Sequence, residues 1–310
     1  MGIVRGGDAE YEDYQPSLEE KTEKVEAAIR AVLEADAEVL SLEGKYYSTD
    51  EATILAGSDL VVGVRVLRLT DNQIGDEAVR TIMESSKLGR LEELYLNTNF
   101  ITDAGIRGVV DSTRVSLPRL KVLSIADNRL TDASGAALVC SARFPKLETL
   151  DLGWNEMGNE TMKALGETEM LPCLKRLDLE RNYIEGAGIR GFVKGRVAAG
   201  MEELNLSANR LDDEAVTVLA SSPALARLKV LKISQNRFGD PGARALGESV
   251  ALSGLTHLYM GRNLFGPEGA RAVHESKVLV NLKTLVLQEG VEISPGLVNF
   301  SRPELLRPEN

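Results

Sequence analysis

The chain has 310 residues, with 36 lysines and arginines against 47 aspartates and glutamates, so its formal charge is -11. This negative charge opposes binding to phosphate backbones and anionic membranes, and we expect neither nucleic acid nor membrane as a partner. No stretch reaches the roughly 18 apolar residues of a membrane span, and the first residues contain no apolar signal segment. Two reduced cysteines, Cys140 and Cys173, are typical of a cytoplasmic protein of this length.

The first 36 residues precede any repeated pattern. Residues 1–16 are polar and contain Asp8, Glu10, Glu12 and Asp13, so they predict a mobile acidic tail. Ser17 followed by Glu20 forms a capping-box pattern, and apolar residues at helical spacing come next. We therefore predict a capping helix over residues 17–36 that covers the first repeat.

One pattern then recurs over residues 37–293, and residues 91–106, LEELYLNTNFITDAGI, show it most clearly. Alternating leucines indicate a short strand, an asparagine follows, and the spacing then becomes helical. The asparagine recurs every 27 residues, with one interval of 29, at Asn72, Asn99, Asn128, Asn155, Asn182, Asn209, Asn236 and Asn263. With a degenerate copy at each end, we predict about ten repeats and a C-terminal cap or tail over residues 294–310.

This pattern resembles the leucine-rich repeats, and its length and helical second half resemble their ribonuclease-inhibitor-like class. The resemblance implies an α/β fold, a right-handed horseshoe-shaped solenoid with a parallel concave sheet and convex helices. The class includes inhibitors, GTPase-activating proteins, immune sensors and cytoskeletal adaptors. The resemblance therefore implies a fold without selecting a function.

The sequence NQIGDEA, which begins at Asn72, also resembles the repeats of the Ran GTPase-activating proteins. Those proteins have a catalytic arginine on an extended early loop and usually a long acidic C-terminal tail. Here the early loops keep the repeat period, and the end, FSRPELLRPEN, is short and of mixed charge. No catalytic residue can be transferred, so GTPase activation is only an alternative function. A structural role in a cytoskeletal or ciliary assembly is another.

Other columns of the repeat predict its packing. The residues two and ten positions after each asparagine are apolar, and we expect both to face the core. The residue six positions after it is small, as at Ala78 and Gly105, which we attribute to close packing of helix against sheet. We expect each asparagine side chain to bond the backbone of the turn that leaves its strand. Strands inside and helices outside satisfy all of these columns.

Motifs for catalysis or cofactor binding are weak. Residues 186–191, GAGIRG, match a dinucleotide-binding pattern, but neighbouring repeats have small residues in the same columns. His257 and His274 lack the clustered ligands of a zinc site, and no nucleophile motif occurs. We therefore predict no enzymatic activity, no cofactor and no metal.

The candidate binding surface is the middle of the predicted concave face. Side chains four positions before each asparagine point outward and stack into a column. Aromatic and arginine residues next to carboxylates are typical of binding hot spots. The predicted partner-binding residues are Tyr95, Asp151, Trp154, Asp178, Glu180, Arg181 and Tyr183.

Two other interpretations of this surface are a merely solvated face and an acid-base pair formed by Asp151 and Asp178.

The predicted function is a non-enzymatic, intracellular scaffold that binds another protein. We expect it to be a monomer or a subunit of a larger assembly.

Overall fold

The computed structural model describes residues 16–287. The predicted tail over residues 1–16 lies outside this range except for its last residue. The predicted C-terminal cap or tail over residues 294–310 lies wholly outside it, as do residues 288–293 of the last predicted repeat.

Within residues 16–287, ten strands of three residues each form one sheet, and they pair in parallel in chain order. The middle residue of each of the ten strands is a buried leucine, and the matched register places these leucines side by side, as Leu94 beside Leu67. The predicted parallel sheet is confirmed. The strands are β1 Val39–Ser41, β2 Val66–Arg68, β3 Glu93–Tyr95, β4 Val122–Ser124, β5 Thr149–Asp151, β6 Arg176–Asp178, β7 Glu203–Asn205, β8 Val230–Lys232, β9 His257–Tyr259 and β10 Thr284–Val286.

Helices alternate with these strands, which gives the leucine-rich repeat solenoid that the resemblance implies. The helices of residues 16–287 are α1 Leu18–Leu33, α2 Thr49–Gly57, α3 Asp76–Glu84, α4 Asp103–Asp111, α5 Asp132–Val139, α6 Asn159–Glu167, α7 Gly186–Phe192, α8 Arg196–Gly200, α9 Asp213–Ser221, α10 Asp240–Gly247 and α11 Pro267–His274. Short 3-10 helices occupy Asp59–Val61, Ser86–Leu88 and Pro223–Leu225.

Helix α1 begins as its sequence predicts. The Ser17 hydroxyl accepts a hydrogen bond from the Glu20 N–H at 3.2 Å, and the Glu20 carboxylate accepts one from the Ser17 N–H at 2.8 Å. These two bonds satisfy N–H groups that the first helical turn leaves unpaired. Val25 and Ile29 are buried against the rest of the core, so the apolar stripe of this helix covers the first repeat.

The core lies between the sheet and the helices. The apolar residues ten positions after each asparagine are all buried, and those two positions after it are buried except Phe265, which is half-buried. Phe265 stacks on Phe238 with ring centroids 5.8 Å apart. Full burial of one such side chain stabilises the fold by about 1.5–3 kcal/mol. Each added repeat therefore adds stabilising apolar burial to the same continuous core.

The small residues six positions after each asparagine have a different cause from the predicted one. A Cβ on Gly105 would lie 2.5 Å from Oδ1 of Asp76, and one on Gly269 would lie 2.6 Å from Oδ1 of Asp240. The space is therefore taken mainly by the first residue of the preceding helix, and not by the sheet.

Candidate functional site on the concave face and the strand-end edge

The concave face is the side of the sheet that points away from the helices. The residues four positions before each asparagine stand side by side on it, because the strands pair in matched register. Arg68 lies beside Tyr95, and Asp151 lies beside Asp178. The order of this column along the sheet is the one that the sequence predicts.

Three carboxylates, Asp151, Asp178 and Glu180, form what we call the acidic patch. A Cβ on Gly153 would lie 3.3 Å from an Oδ1 atom of both Asp151 and Asp178, so the two carboxylates border the same space. The Asn205 Nδ2 donates to Asp178 Oδ2 at 2.8 Å and to Glu180 Oε2 at 3.2 Å. One amide thus joins two of the acids from the neighbouring strand.

Hydrogen bonds from β-strand neighbours and turns fix the orientation of both aspartates. Asp151 accepts from the Gly153 N–H at 3.0 Å, and its second oxygen lies 2.6 Å from the Ser124 hydroxyl. Asp178 accepts from the Glu180 N–H at 2.9 Å. Side chains held in this way have already lost their rotamer freedom, so they would bind a partner without a further ordering penalty.

Burial raises the pKa of Asp178 above its ordinary value, and the facing carboxylate of Asp151 raises it further. The Glu180 N–H, the Asn205 amide and the more distant Lys232 act in the opposite direction without reversing the shift. The carboxylate form of Asp178 is therefore disfavoured by its surroundings, and a cation placed between the two aspartates would favour it.

A shallow depression of about 260 Å³ contains Asp151 and Asp178. Tyr95 lines one end and Lys232 the other, and apolar side chains such as Val122 and Val230 also line it. The Tyr95 hydroxyl donates to Glu93 at 2.8 Å, and the Arg68 guanidinium lies 5.2 Å from the Tyr95 ring centroid. The surface therefore offers a negative centre with apolar walls.

Trp154, Arg181 and Tyr183 lie past the ends of strands β5 and β6, so the seven predicted residues divide between two surfaces. Trp154 has φ of 54° and Arg181 has φ of 52°, in the left-handed region. This conformation ends the alternation of side chains that an extended strand would continue. The three side chains line a different depression, of about 640 Å³, on the edge formed by the strand ends.

On this edge, arginines stack on exposed aromatic rings. The Arg181 guanidinium lies 4.0 Å from the Trp154 ring centroid, and that of Arg210 lies 4.6 Å from the Tyr183 centroid. Trp154 and Tyr183 remain 46% and 47% exposed. We call Trp154, Arg181, Tyr183, Arg210 and Arg237 the edge cluster, because all five line the same depression.

The eight repeated asparagines form a continuous ladder, which we call the Asn ladder. Each Nδ2 lies within 3.3 Å of three backbone carbonyl oxygens, two in its own turn and one in the preceding repeat. Each Oδ1 accepts from a backbone N–H of the preceding repeat, as Asn182 does from Met157 at 2.8 Å. The ladder accounts for the asparagines without any role in binding a partner.

Burial is not uniform along this ladder. Six of the eight side chains are buried, whereas Asn128 and Asn263 are half-buried. Asn97, which is not part of the ladder, is half-buried as well, and its Oδ1 accepts from the Ala126 N–H at 2.9 Å. Asn97 is therefore also held by the neighbouring repeat, although it lies outside the ladder.

A second series of side chains links the starts of successive helices, and sequence reasoning missed it. We call it the Asp row, and its members are Asp76, Asp103, Asp132, Asn159, Asp213 and Asp240. Asp132 Oδ1, for example, accepts from the Gly158 and Thr161 N–H groups of the next repeat, both at 2.8 Å. Its signal in the sequence is an aspartate or asparagine four positions after most of the ladder asparagines.

Hydrogen bonds lower the pKa of two members of the Asp row, Asp103 and Asp132. Burial would raise the pKa of Asp132, but the Thr161 hydroxyl and the N–H groups of Gly158 and Thr161 lower it below its ordinary value. Burial likewise opposes the lowered pKa of Asp103, which bonds from Ser134 and Thr131 bring about. Both residues therefore favour the charged form in the folded chain.

The structure adds no support for the weak cofactor-binding and metal-binding motifs of the sequence. Gly188 of the GAGIRG segment donates its N–H to Asn159 at 2.8 Å, and a Cβ there would lie 2.7 Å from Asn159 Oδ1. Its small size thus belongs to the packing of α7 on α6. Among residues 16–287, no three His, Cys, Asp or Glu side chains are grouped so that they could hold a metal ion. No helix of the same range is long and apolar enough to cross a membrane.

Comparison with known proteins agrees with the repeat pattern. Residues 64–83, 145–166 and 227–247 match a family described as leucine-rich repeat. No curated protein matches the sequence. An internalin from Listeria monocytogenes is 18% identical over 90% of this chain and 91% of its own, with a TM-score of 0.43. A TDR receptor is 16% identical over 84% of this chain, with a TM-score of 0.44, and this chain spans only 44% of its length.

Each of the three matched stretches contains one strand of the parallel sheet, β2, β5 or β8, and runs into the helix that follows it. Leucines fill the strand positions that face the core, and asparagines close the turns that follow. The chain therefore has the fold of a leucine-rich repeat solenoid, and three of its stretches match that repeat family.

Proposed function

We propose that this chain is a non-enzymatic intracellular scaffold of the ribonuclease-inhibitor-like type, and that its acidic patch binds a lysine or arginine of a partner protein. Leucine-rich repeat proteins generally bind other proteins, so the fold supports the proposed role as a scaffold. The second half depends on the chemistry of the concave face, where Asp151, Asp178 and Glu180 lie together.

The observation that carries the proposal is that the Asp151 and Asp178 carboxylates border the same space beside Gly153, and the raised pKa of Asp178 agrees with it. Burial and the facing carboxylate of Asp151 both disfavour the charged form, so the pair makes an unfavourable contribution to the unbound chain. A cationic side chain between the two carboxylates would remove that penalty and gain charge-assisted hydrogen bonds, each worth about 1.5–3 kcal/mol. Binding sites commonly keep such arrangements at the expense of stability.

The surroundings of the patch define the shape of the bound group. Apolar side chains such as Val122 and Val230 would contact the methylene groups of a lysine or arginine, and Tyr95 would border one end. Lys232 at the other end would repel a second cation placed there. We therefore expect one central basic residue in the bound segment rather than a long basic run.

Selection from a random peptide library tests this proposal without requiring the partner itself. Peptides that bind the wild-type chain should be enriched in a single lysine or arginine. Asp178→Asn and Asp151→Asn should each weaken the selected peptides by about tenfold or more, since tenfold corresponds to 1.4 kcal/mol. Glu167→Gln on α6 removes the same charge from an exposed helical position and should leave their affinity unchanged.

Two outcomes would contradict the proposal. Selected peptides could lack basic residues, or their binding could be insensitive to both aspartate variants while thermal unfolding shows that the variants are folded. A separate result would contradict the non-enzymatic assignment: acceleration of GTP hydrolysis by a Ran-type GTPase, for which an inserted arginine supplies about 10³–10⁵ in rate. Arg65 lies early in the repeats, where the Ran GTPase-activating proteins have their catalytic arginine, but its side chain is paired with Glu38 and Glu92.

A further inference from the structure

The two positions that flank each ladder asparagine change their charge along the chain. In the repeats up to Asn128, the charged residues at these positions are Asp71, Asp127 and Arg129. From Trp154 onward, they are Arg181, Arg210, Arg237, Arg262 and a single acid, Glu156. The second half of the strand-end edge is therefore cationic, although the chain as a whole carries a formal charge of -11.

Stacking on aromatic rings holds two of these arginines in place. Arg181 lies over Trp154 and Arg210 lies over Tyr183, at the distances given above. A guanidinium that stacks by its face keeps the N–H groups along its edge free to donate two parallel hydrogen bonds to a carboxylate. The rings thus orient the arginines without consuming their capacity to bind an anion.

Carboxylates of the described residues neutralise the edge cluster only in part, although Asp127 also lines its depression. Among the described residues, no acidic side chain lies within 4.0 Å of the Arg181 or Arg237 guanidinium, whereas Arg210 has Glu185 at 3.5 Å. The Arg210 and Glu185 side chains are both substantially exposed, and exposed pairs are worth only about 0–1 kcal/mol. A ligand could replace that contact at little expense.

We propose that the edge cluster is a second binding site, which takes an aspartate- or glutamate-rich segment of a partner protein. The charge of the cluster is complementary to such a segment, and the exposed Trp154 and Tyr183 rings would supply the apolar contacts that anchor peptides. The net charge of the chain would repel an extended polyanion, so recognition is confined to a short segment on this edge. This site is independent of the acidic patch, which has the opposite charge.

Trp154 is the only tryptophan of the chain, so its fluorescence reports directly on this site. The probe is a labelled peptide of alternating glutamate and glycine, about twelve residues long, which spans roughly 40 Å when extended. Its anisotropy should show saturable binding, and Trp154 emission should change over the same concentrations. A matched lysine-glycine peptide and a single-stranded DNA oligonucleotide of equal charge should bind at least about tenfold more weakly.

Variants then assign the binding to the cluster. Arg181→Gln and Arg210→Gln should each reduce the affinity for the glutamate peptide by about tenfold. Arg107→Gln changes the net charge equally at an exposed position on α4, and Asp178→Asn alters the acidic patch, so neither should reduce it. Thermal unfolding of every variant confirms that a loss of binding is not a loss of fold.

Several results would overturn this proposal. The glutamate peptide could fail to saturate up to about 1 mM, the weak end of specific affinities. It could lose as much affinity with Arg107→Gln as with Arg181→Gln, which would show a response to net charge alone. The oligonucleotide could bind more tightly, which would assign the edge to nucleic acid. None of these results bears on the acidic patch, so failure here leaves the first proposal to its own test.

Discussion

The Asn ladder and the Asp row both join each repeat to the next, yet they use different side chains. At the strand ends the backbone presents carbonyl oxygens and N–H groups together, and an amide, which has two N–H donors and an acceptor oxygen, bonds both. At the helix starts the backbone presents N–H groups alone, and a carboxylate accepts from several of them and interacts favourably with the helix dipole. The side chain at each junction is therefore matched to the polar groups that the backbone leaves unpaired there.

The two series also differ in continuity. The Asn ladder runs through eight successive turns without a substitution. The Asp row is interrupted by Gly186, and Asp212 in the next repeat caps its own helix by accepting from the Ala215 N–H at 2.9 Å. A helix start can thus be capped locally, as by Thr102 and Thr131. Buried carbonyls at a strand end have no such substitute.

The largest effect on stability should come from replacing an amide of the Asn ladder with a carboxylate. Asn182→Asp keeps the acceptor for the Met157 N–H but places a carboxylate oxygen beside three carbonyl oxygens. We expect it to lower the free energy of unfolding by about 3 kcal/mol or more, since a buried unpaired charge costs more than a lost hydrogen bond. Denaturant unfolding at neutral pH measures this change.

Two ladder controls sharpen that measurement. Asn182→Ala removes the bonds without adding a charge and should cost about 1–3 kcal/mol. Asn128→Ala should cost less, because its side chain is half-buried and water can replace part of the bonding. If Asn182→Asp were as stable as the wild type, the amide donor would have no structural importance.

The Asp row should give an intermediate effect that depends on pH. Asp132→Ala leaves N–H groups of Gly158 and Thr161 without their acceptor, and we expect a loss of about 1–2 kcal/mol at pH 7. The pKa of Asp132 is lowered in the folded chain, so its contribution is present above the unfolded pKa of about 4 and is lost as pH falls through the folded pKa. The difference between wild type and variant should therefore shrink below about pH 4.

Asp132→Asn is the matched control for this prediction. It keeps one oxygen acceptor and removes the charge, so it should be less destabilising than Asp132→Ala and should show a weaker pH dependence. A constant difference between wild type and Asp132→Ala from pH 7 to about pH 3 would contradict the assigned role of the carboxylate.

The smallest expected effect on stability is a gain rather than a loss, and it comes from a substitution in the acidic patch. The pKa of Asp178 is raised in the folded chain, so its contribution to stability is favourable below the unfolded pKa and is lost as pH rises through the folded pKa. Asp178→Asn should therefore raise the thermal midpoint slightly at pH 7, and this gain should vanish below about pH 4. A lower midpoint at pH 7 would show that the carboxylate stabilises the fold, which would weaken its assignment to binding.

Most of the fold could be predicted because it repeats. The leucine alternation and the asparagine period set the strand register, and the structure places Asp151 beside Asp178 as that register requires. The positions of Trp154 and Arg181 could not be predicted in the same way. They follow three-residue strands and adopt a left-handed conformation, so extending the strand pattern by three residues assigned them to the concave face.

The Asp row was missed for a different reason. Asp103 and Asp132 each follow a threonine at the start of a helix, where an acid is expected from local capping alone. Their second set of contacts, with the next repeat, depends on the distance between neighbouring helices. That distance is a property of the stacked repeats and cannot be read from one repeat.

The direction of the ladder bonds has a consequence for synthesis of the protein. Each asparagine bonds the turn of the repeat before it, as Asn99 does for the Ile74 N–H and Asn209 for the Ile184 N–H. A turn that has just left the ribosome therefore stays incompletely bonded until about one more repeat has been made. At roughly 5–20 residues per second this delay is about one to five seconds, so the growing end of the nascent chain should always be less protected than the repeats behind it.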